Sequence, residues 1–108
     1  MNLPTEIFGS VIVVHTPEEL GSEQVGPFTA FISGLERGNV VLDLDHTELL
    51  DSAGLAAILD VQDRVRGQAG AVKIATTNAT NRKILEITRL DRQLEVFDSV
   101  IDAVKSYQ

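Results

Sequence analysis

The residues of this chain best placed to do chemistry lie in one stretch: Val40-Val41-Leu42-Asp43-Leu44, then Asp45-His46-Thr47-Glu48-Leu49-Leu50, then Asp51-Ser52-Ala53-Gly54-Leu55. A compact apolar run gives way to a polar connection, and a serine then opens an amphipathic segment. A serine in the first turn of a helix lies where backbone N–H groups have no helical partner and the macrodipole is positive. A phosphate added to its hydroxyl would therefore be held by the helix end itself. The added group brings roughly −1.5 to −2 charges, which beside Asp51 and Glu48 would repel an acidic or closely packed partner face. Ala53 is small and Gly54 lacks a Cβ, so a partner's backbone could come close to the hydroxyl. Ser52 could equally serve as a plain N-cap, and the capping and phosphate-accepting roles are compatible.

Other chemistry finds little support. Nine basic against sixteen acidic residues give a net charge of −7, which disfavours nucleic acid and anionic lipid as ligands and suits a neutral or basic protein partner. Cysteine is absent, and His15 and His46 stand far apart in sequence, so no metal site is expected and each histidine is assigned a surface or turn role. Asp43, Asp45, Glu48 and Asp51 could offer oxygens to a hard cation, but their positions read as a solvated turn. No glycine-rich phosphate loop and no serine, histidine and acid set with a known motif occurs, so no catalytic residue is expected. The segment Met1 to Ile7 lacks the pattern of a signal peptide. No apolar stretch approaches the ~20 residues that span a bilayer, so a cytoplasmic protein without membrane insertion is expected.

The elements that must position Ser52 follow from periodicity. Glu6 to Phe8 and Val11 to Val14 are β-rich pieces separated by Gly9-Ser10, a hairpin signal. His15 to Gly21 reads as a polar connection, its Glu18-Glu19 pair a solvated loop or a partner contact. Val25, Phe28, Phe31, Ile32 and Leu35 recur at helical spacing toward Gly38, with Pro27 tolerated in the first turn. Val40 to Leu44 is a buried strand, and Ser52 to Arg66 is a helix ended by Gly67. Ala71 to Ala75 is a strand, and a short helix starts among the capping side chains of Asn78 to Asn81. A glycosylation role for Asn78-Ala79-Thr80 is set aside in favour of this cap. Leu94 to Phe97 is a last strand, followed by a helix capped by Asp98 or Ser99. The order predicts one α/β domain spanning 1–108, a mixed and mostly parallel sheet of about five strands with an antiparallel hairpin edge and about four helices.

The buried strand, the polar connection and Asp51-Ser52-Ala53-Gly54-Leu55 together resemble the signature of STAS domains, the family of anti-sigma factor antagonists. The likeness continues more weakly through Gly67 to Gly70, Thr76-Thr77 and Arg82 to Ile87, covering about two-thirds of the chain. It implies a STAS-like fold and a partner-switching phosphoprotein of transcription regulation that catalyses nothing and needs no cofactor. The implied partner is an anti-sigma factor that is also a serine protein kinase of GHKL type, bound while Ser52, the implied phosphorylation site, is unmodified. Asp51 would orient the hydroxyl, and Asp51, Ser52, Ala53 and Gly54 would face the partner together with Glu19 and Gly21. Glu18-Glu19-Leu20-Gly21 stands where the family carries Gly-Glu-Leu-Asp, and Arg89 stands where it carries a glycine after the third helix. The resemblance also admits a non-switching scaffold subunit of a lipid-transport ATPase or stressosome-type assembly. A monomer or weak homodimer is expected.

Overall fold

The computed structural model describes residues 1–36 and 38–108. Strands β1 (Thr5–Phe8) and β2 (Val11–His15) form the expected antiparallel hairpin, and Gly9 turns it with a φ of 61°. After the short strand β3 (Glu19–Leu20) comes helix α1 (Val25–Ser33), then β4 (Asn39–Asp43), the short β5 (Leu49–Leu50) and helix α2 (Ser52–Arg66). Strand β6 (Ala71–Ala75), helix α3 (Ala79–Ile87), a 3-10 turn at Leu90–Arg92, strand β7 (Val96–Phe97) and helix α4 (Val100–Lys105) complete the described elements.

The main sheet runs β1-β2-β4-β6-β7, antiparallel only at the hairpin and parallel elsewhere. Successive residues of its central strands face opposite sides, as pleating requires. Ile12, Val14, Val40, Leu42, Val72 and Ile74 join the core that takes in Phe28 and Ile32 of α1, Leu55, Ile58 and Val61 of α2, and Leu85 of α3. Val11, Val13, Val41 and Ala75 pack on the other side with Ala103 and Val104 of α4. Beyond α4, the Tyr107 hydroxyl reaches the carbonyls of Val40 and Ala71 at 2.8 Å each, and Lys73 Nζ stands 4.2 Å from the tyrosine ring centroid. Burial pushes the Tyr107 pKa up, so the phenol stays protonated and keeps donating.

Several boundaries differ from the sequence expectation. Helix α1 stops at Ser33 with Gly34 as its cap, four residues before Gly38. Leu35 still packs against the core, but from a non-helical backbone. Arg37, inside the expected helix, lies outside the described residues. Gly38 instead passes close to Gly70, where a Cβ on Gly70 would lie 2.3 Å from the Gly38 carbonyl oxygen. The last strand is shorter than Leu94 to Phe97 because Leu94 N–H closes the preceding turn onto Leu90. Asn78 caps α3 and Ser99 caps α4, while Asp98 pairs with Arg82. Strands β3 and β5 were not expected at all.

Arg89 follows the α3 cap at φ 61°, the left-handed region in which a side chain is strained and glycine is not. Arg89→Gly is expected to raise stability by about 1 kcal/mol. Urea unfolding monitored by circular dichroism checks this, and an unchanged or lower midpoint would refute it.

Candidate functional site

Two short segments that lead into helices α1 and α2 meet beside the main sheet. Glu19 pairs with Leu49 and Leu20 with Leu50 in a parallel two-stranded ladder. The Glu18 carbonyl also accepts from the N–H groups of Glu48 and Leu49 at 2.8 and 3.1 Å. The residues expected as a solvated loop are thus held as a strand next to the backbone that enters α2. Parallel pairing of segments far apart in sequence leaves no alternation in two residues, so periodicity had nothing to detect.

At the start of α2, Asp51 is the N-cap. Its backbone is extended and its carboxylate accepts from the Gly54 N–H at 2.9 Å. Ser52 is the first helical residue and is exposed, and Ala53 behind it is half-buried. The capping role expected of Ser52 is therefore filled by Asp51, whose carboxylate reaches the Gly54 N–H. Because its cap removes only one of the orphan donors, the helix end keeps an electropositive mouth beside the serine.

Gly54 has a different role from the one expected. It is buried, and a Cβ there would lie 1.9 Å from the Leu20 carbonyl oxygen. The close approach it permits is that of β3 within the same chain, not that of a partner. Gly21 is likewise buried, with a would-be Cβ 2.9 Å from Asp51 Oδ2. Its N–H donates to the Gln24 side chain at 2.9 Å, which fixes the turn into α1.

The outer surface around Ser52 carries Glu18, Glu19, Glu23, Glu48 and Asp51, all exposed, with Leu49 50% exposed among them. A shallow depression of about 170 Å³ lies between Glu19, Gly21, Ser22, Glu23, Leu49 and Asp51. The arrangement offers an anionic rim, one apolar contact and a free hydroxyl. That combination suits binding to a basic surface with a small apolar recess.

Beneath this surface lies a polar network that sequence reasoning missed. Thr16 N–H and its hydroxyl both reach the Asp43 carbonyl at 3.1 Å, and the Thr16 and Thr47 hydroxyls are bonded to one another. Thr47 donates to the Pro17 carbonyl at 2.6 Å. Asn81, 1% exposed, donates to the carbonyls of Leu44 at 3.1 Å and Thr47 at 2.7 Å. The segments after β2 and β4 are thereby tied to each other and to α3. Asn81 had been counted with the capping side chains, and only its place three residues after the true cap, on the inward face of the helix, could have distinguished it.

The acidic residues after β4 diverge rather than gather. Asp43 is buried, with one oxygen on His15 and the other accepting from Asp45 N–H at 3.0 Å. Asp45 turns to Thr77, accepting from its N–H at 2.6 Å and its hydroxyl at 3.1 Å. Only Glu48 and Asp51 remain on the exposed rim, so Asp43 is not part of a solvated turn. His46 sits in an exposed turn. His15 does not occupy a simple surface position: it is half-buried on β2, with Nδ1 2.9 Å from Asp43 and Nε2 2.8 Å from Glu6. Burial works against its charged form, but hydrogen bonds from the ring to Glu6 and Asp43 outweigh it and hold the pKa above the usual 6.5.

A mixed, mostly parallel sheet packed against helices, with a serine exposed at the head of α2, makes this an α/β domain. Residues 2–103 match the STAS domain, and the chain belongs to that family. A Thermotoga neapolitana protein bearing the provisional name anti-sigma factor antagonist is 26% identical over 109 residues, spanning 97% of this chain and 96% of its own. An anti-sigma factor antagonist from Mycobacterium paratuberculosis superposes with a TM-score of 0.85 at 19% identity, over 97% of this chain and 92% of that one. The phosphorylated form of the Bacillus cell-fate determinant SpoIIAA superposes with a TM-score of 0.72 at 17% identity, over 99% of this chain and 100% of that one. Among the described residues, no helix is long and apolar enough to cross a membrane.

Proposed function

We propose that this protein is an anti-sigma factor antagonist: a binding module, not a catalyst, that docks on an anti-sigma serine kinase of GHKL type through the surface around Ser52. Phosphorylation of Ser52 then releases it. The observation that carries this reading is the exposed serine at the first position of α2, flanked by the capping carboxylate of Asp51 and by the Glu19–Leu49 rim. The names of its relatives and the existence of a fold neighbour in phosphorylated form support it. The helix end stabilises an added phosphate locally. The same charge, placed on an anionic rim, opposes a partner packed against it.

Incubation with the cognate kinase and ATP should add one phosphate by intact mass, and none to Ser52→Ala. Ser52→Asp should weaken binding to the kinase roughly a hundredfold, about 2.7 kcal/mol. Phosphate that persists in Ser52→Ala, or an aspartate variant that binds like the parent, would remove the mechanism. Gly21 favours one rival, a constitutive scaffold subunit, because it places no carboxylate where the resemblance implies one. That rival predicts stable co-purification with an ATPase or large assembly and indifference to Ser52→Asp.

A further inference from the structure

Strand β1 is one edge of the main sheet, and all four of its residues are exposed. It is held by backbone pairing with β2, and just before it the Pro4 carbonyl accepts from His15 N–H at 3.0 Å. Among the described residues, the only side-chain hydrogen bond or ion pair it makes is that of Glu6 with His15. Both ring nitrogens of His15 face carboxylate oxygens, Glu6 at 2.8 Å and Asp43 at 2.9 Å. An ionised carboxylate only accepts hydrogen bonds, so keeping both contacts to ionised partners at once takes a proton on each nitrogen, the imidazolium form.

We propose that His15 is a proton-operated staple for the edge strand: doubly protonated, it ties Glu6 on β1 to Asp43 on β4, and loss of one proton frees Glu6 and loosens β1. Neutral imidazole keeps a single N–H. That proton stays on Nδ1, because the Asp43 side chain is only 8% exposed and loses more without a donor, whereas the Glu6 side chain is 55% exposed. The departing proton leaves Nε2 for solvent, and a bare lone pair then faces the Glu6 carboxylate. The other groups near the ring do not replace this contact. His46 lies 6.4 Å away, centroid to centroid, and the Asp45 carboxylate is turned to Thr77. His15 titrates above 6.5 in the folded chain, so its contribution is complete below 6.5 and is lost as pH rises through the folded value.

The test is nuclear magnetic resonance of the His15 ring together with amide protection factors, corrected for intrinsic exchange, across neutral pH. Protection of the β1 amides should fall roughly two- to fivefold through the His15 midpoint, the range an exposed ion pair commands, while β4 stays unchanged. Glu6→Gln should retain protection and abolish the step, because an amide can accept from Nε2–H or donate to bare Nε2. Glu6→Ala should show low β1 protection at every pH, and His46→Gln should keep the step. A His15 midpoint at or below 6.5, a flat β1 profile in the parent, or a step that survives in Glu6→Gln would overturn the proposal.

Discussion

Gly54→Ala should destabilise the protein by at least about 3 kcal/mol, the upper end of ordinary overpacking. A methyl at this position would lie 1.9 Å from the Leu20 carbonyl oxygen, 2.9 Å from its carbonyl carbon and 3.2 Å from its Cγ. Neither side can give way cheaply. Leu20 is fully buried and paired with Leu50, and α2 packs Leu55, Ile58 and Val61 into the core. Urea unfolding of this variant should be compared with Gly26→Ala. Gly26 is also helical, but has nothing within 4 Å of its would-be Cβ. There the same substitution should stabilise by about 0.5–1 kcal/mol. A Gly54→Ala midpoint close to the parent's would show that β3 is not locked onto α2.

Asn81→Leu should cost about 2 kcal/mol despite its similar branched shape. It orphans the buried Thr47 carbonyl, at ~1–3 kcal/mol before relaxation, while the Leu44 carbonyl keeps the Thr47 N–H at 3.0 Å. Asn81→Asp should be worse at neutral pH, because a carboxylate would face those carbonyls with no proton to give. Its folded pKa would be raised, so this variant should recover stability as pH falls through that value, and Asn81→Leu should not. Thermal unfolding at two pH values decides the matter. Parent-like stability of Asn81→Leu would mean that the network does not hold the loops.

Much of the architecture was legible in the sequence because local signals mark it. The Gly9-Ser10 turn announces the hairpin, the compact β-branched run at Val40 is too short for a helix, and helical spacing closed by Gly67 marks α2. What escaped was decided by tertiary contact. Two-residue strands such as β3 and β5 carry no period, and Gly34 ended α1 although Leu35 continued its apolar spacing. At the candidate site, the position of Ser52 was readable from Asp-Ser before an apolar helix. The division of labour was not: Ser52 reads as a cap in sequence, and the fold gives that role to Asp51 one residue earlier. Gly54 illustrates the limit: its lack of a side chain signals that something comes close, but only the fold reveals that the neighbour is Leu20. His15 read as the start of a polar connection because its two acidic neighbours arrive from Glu6 and Asp43, nine and twenty-eight positions away.

The ladder between Glu19-Leu20 and Leu49-Leu50, bolted from below through Thr16, Thr47 and Asn81, makes the ground around Ser52 stiff. A group attached there would arrive on an anvil rather than a hinge. Whatever touches that surface would meet an altered charge at unaltered coordinates, and removing the group would restore the original contour at once, with no segment needing to find its way back.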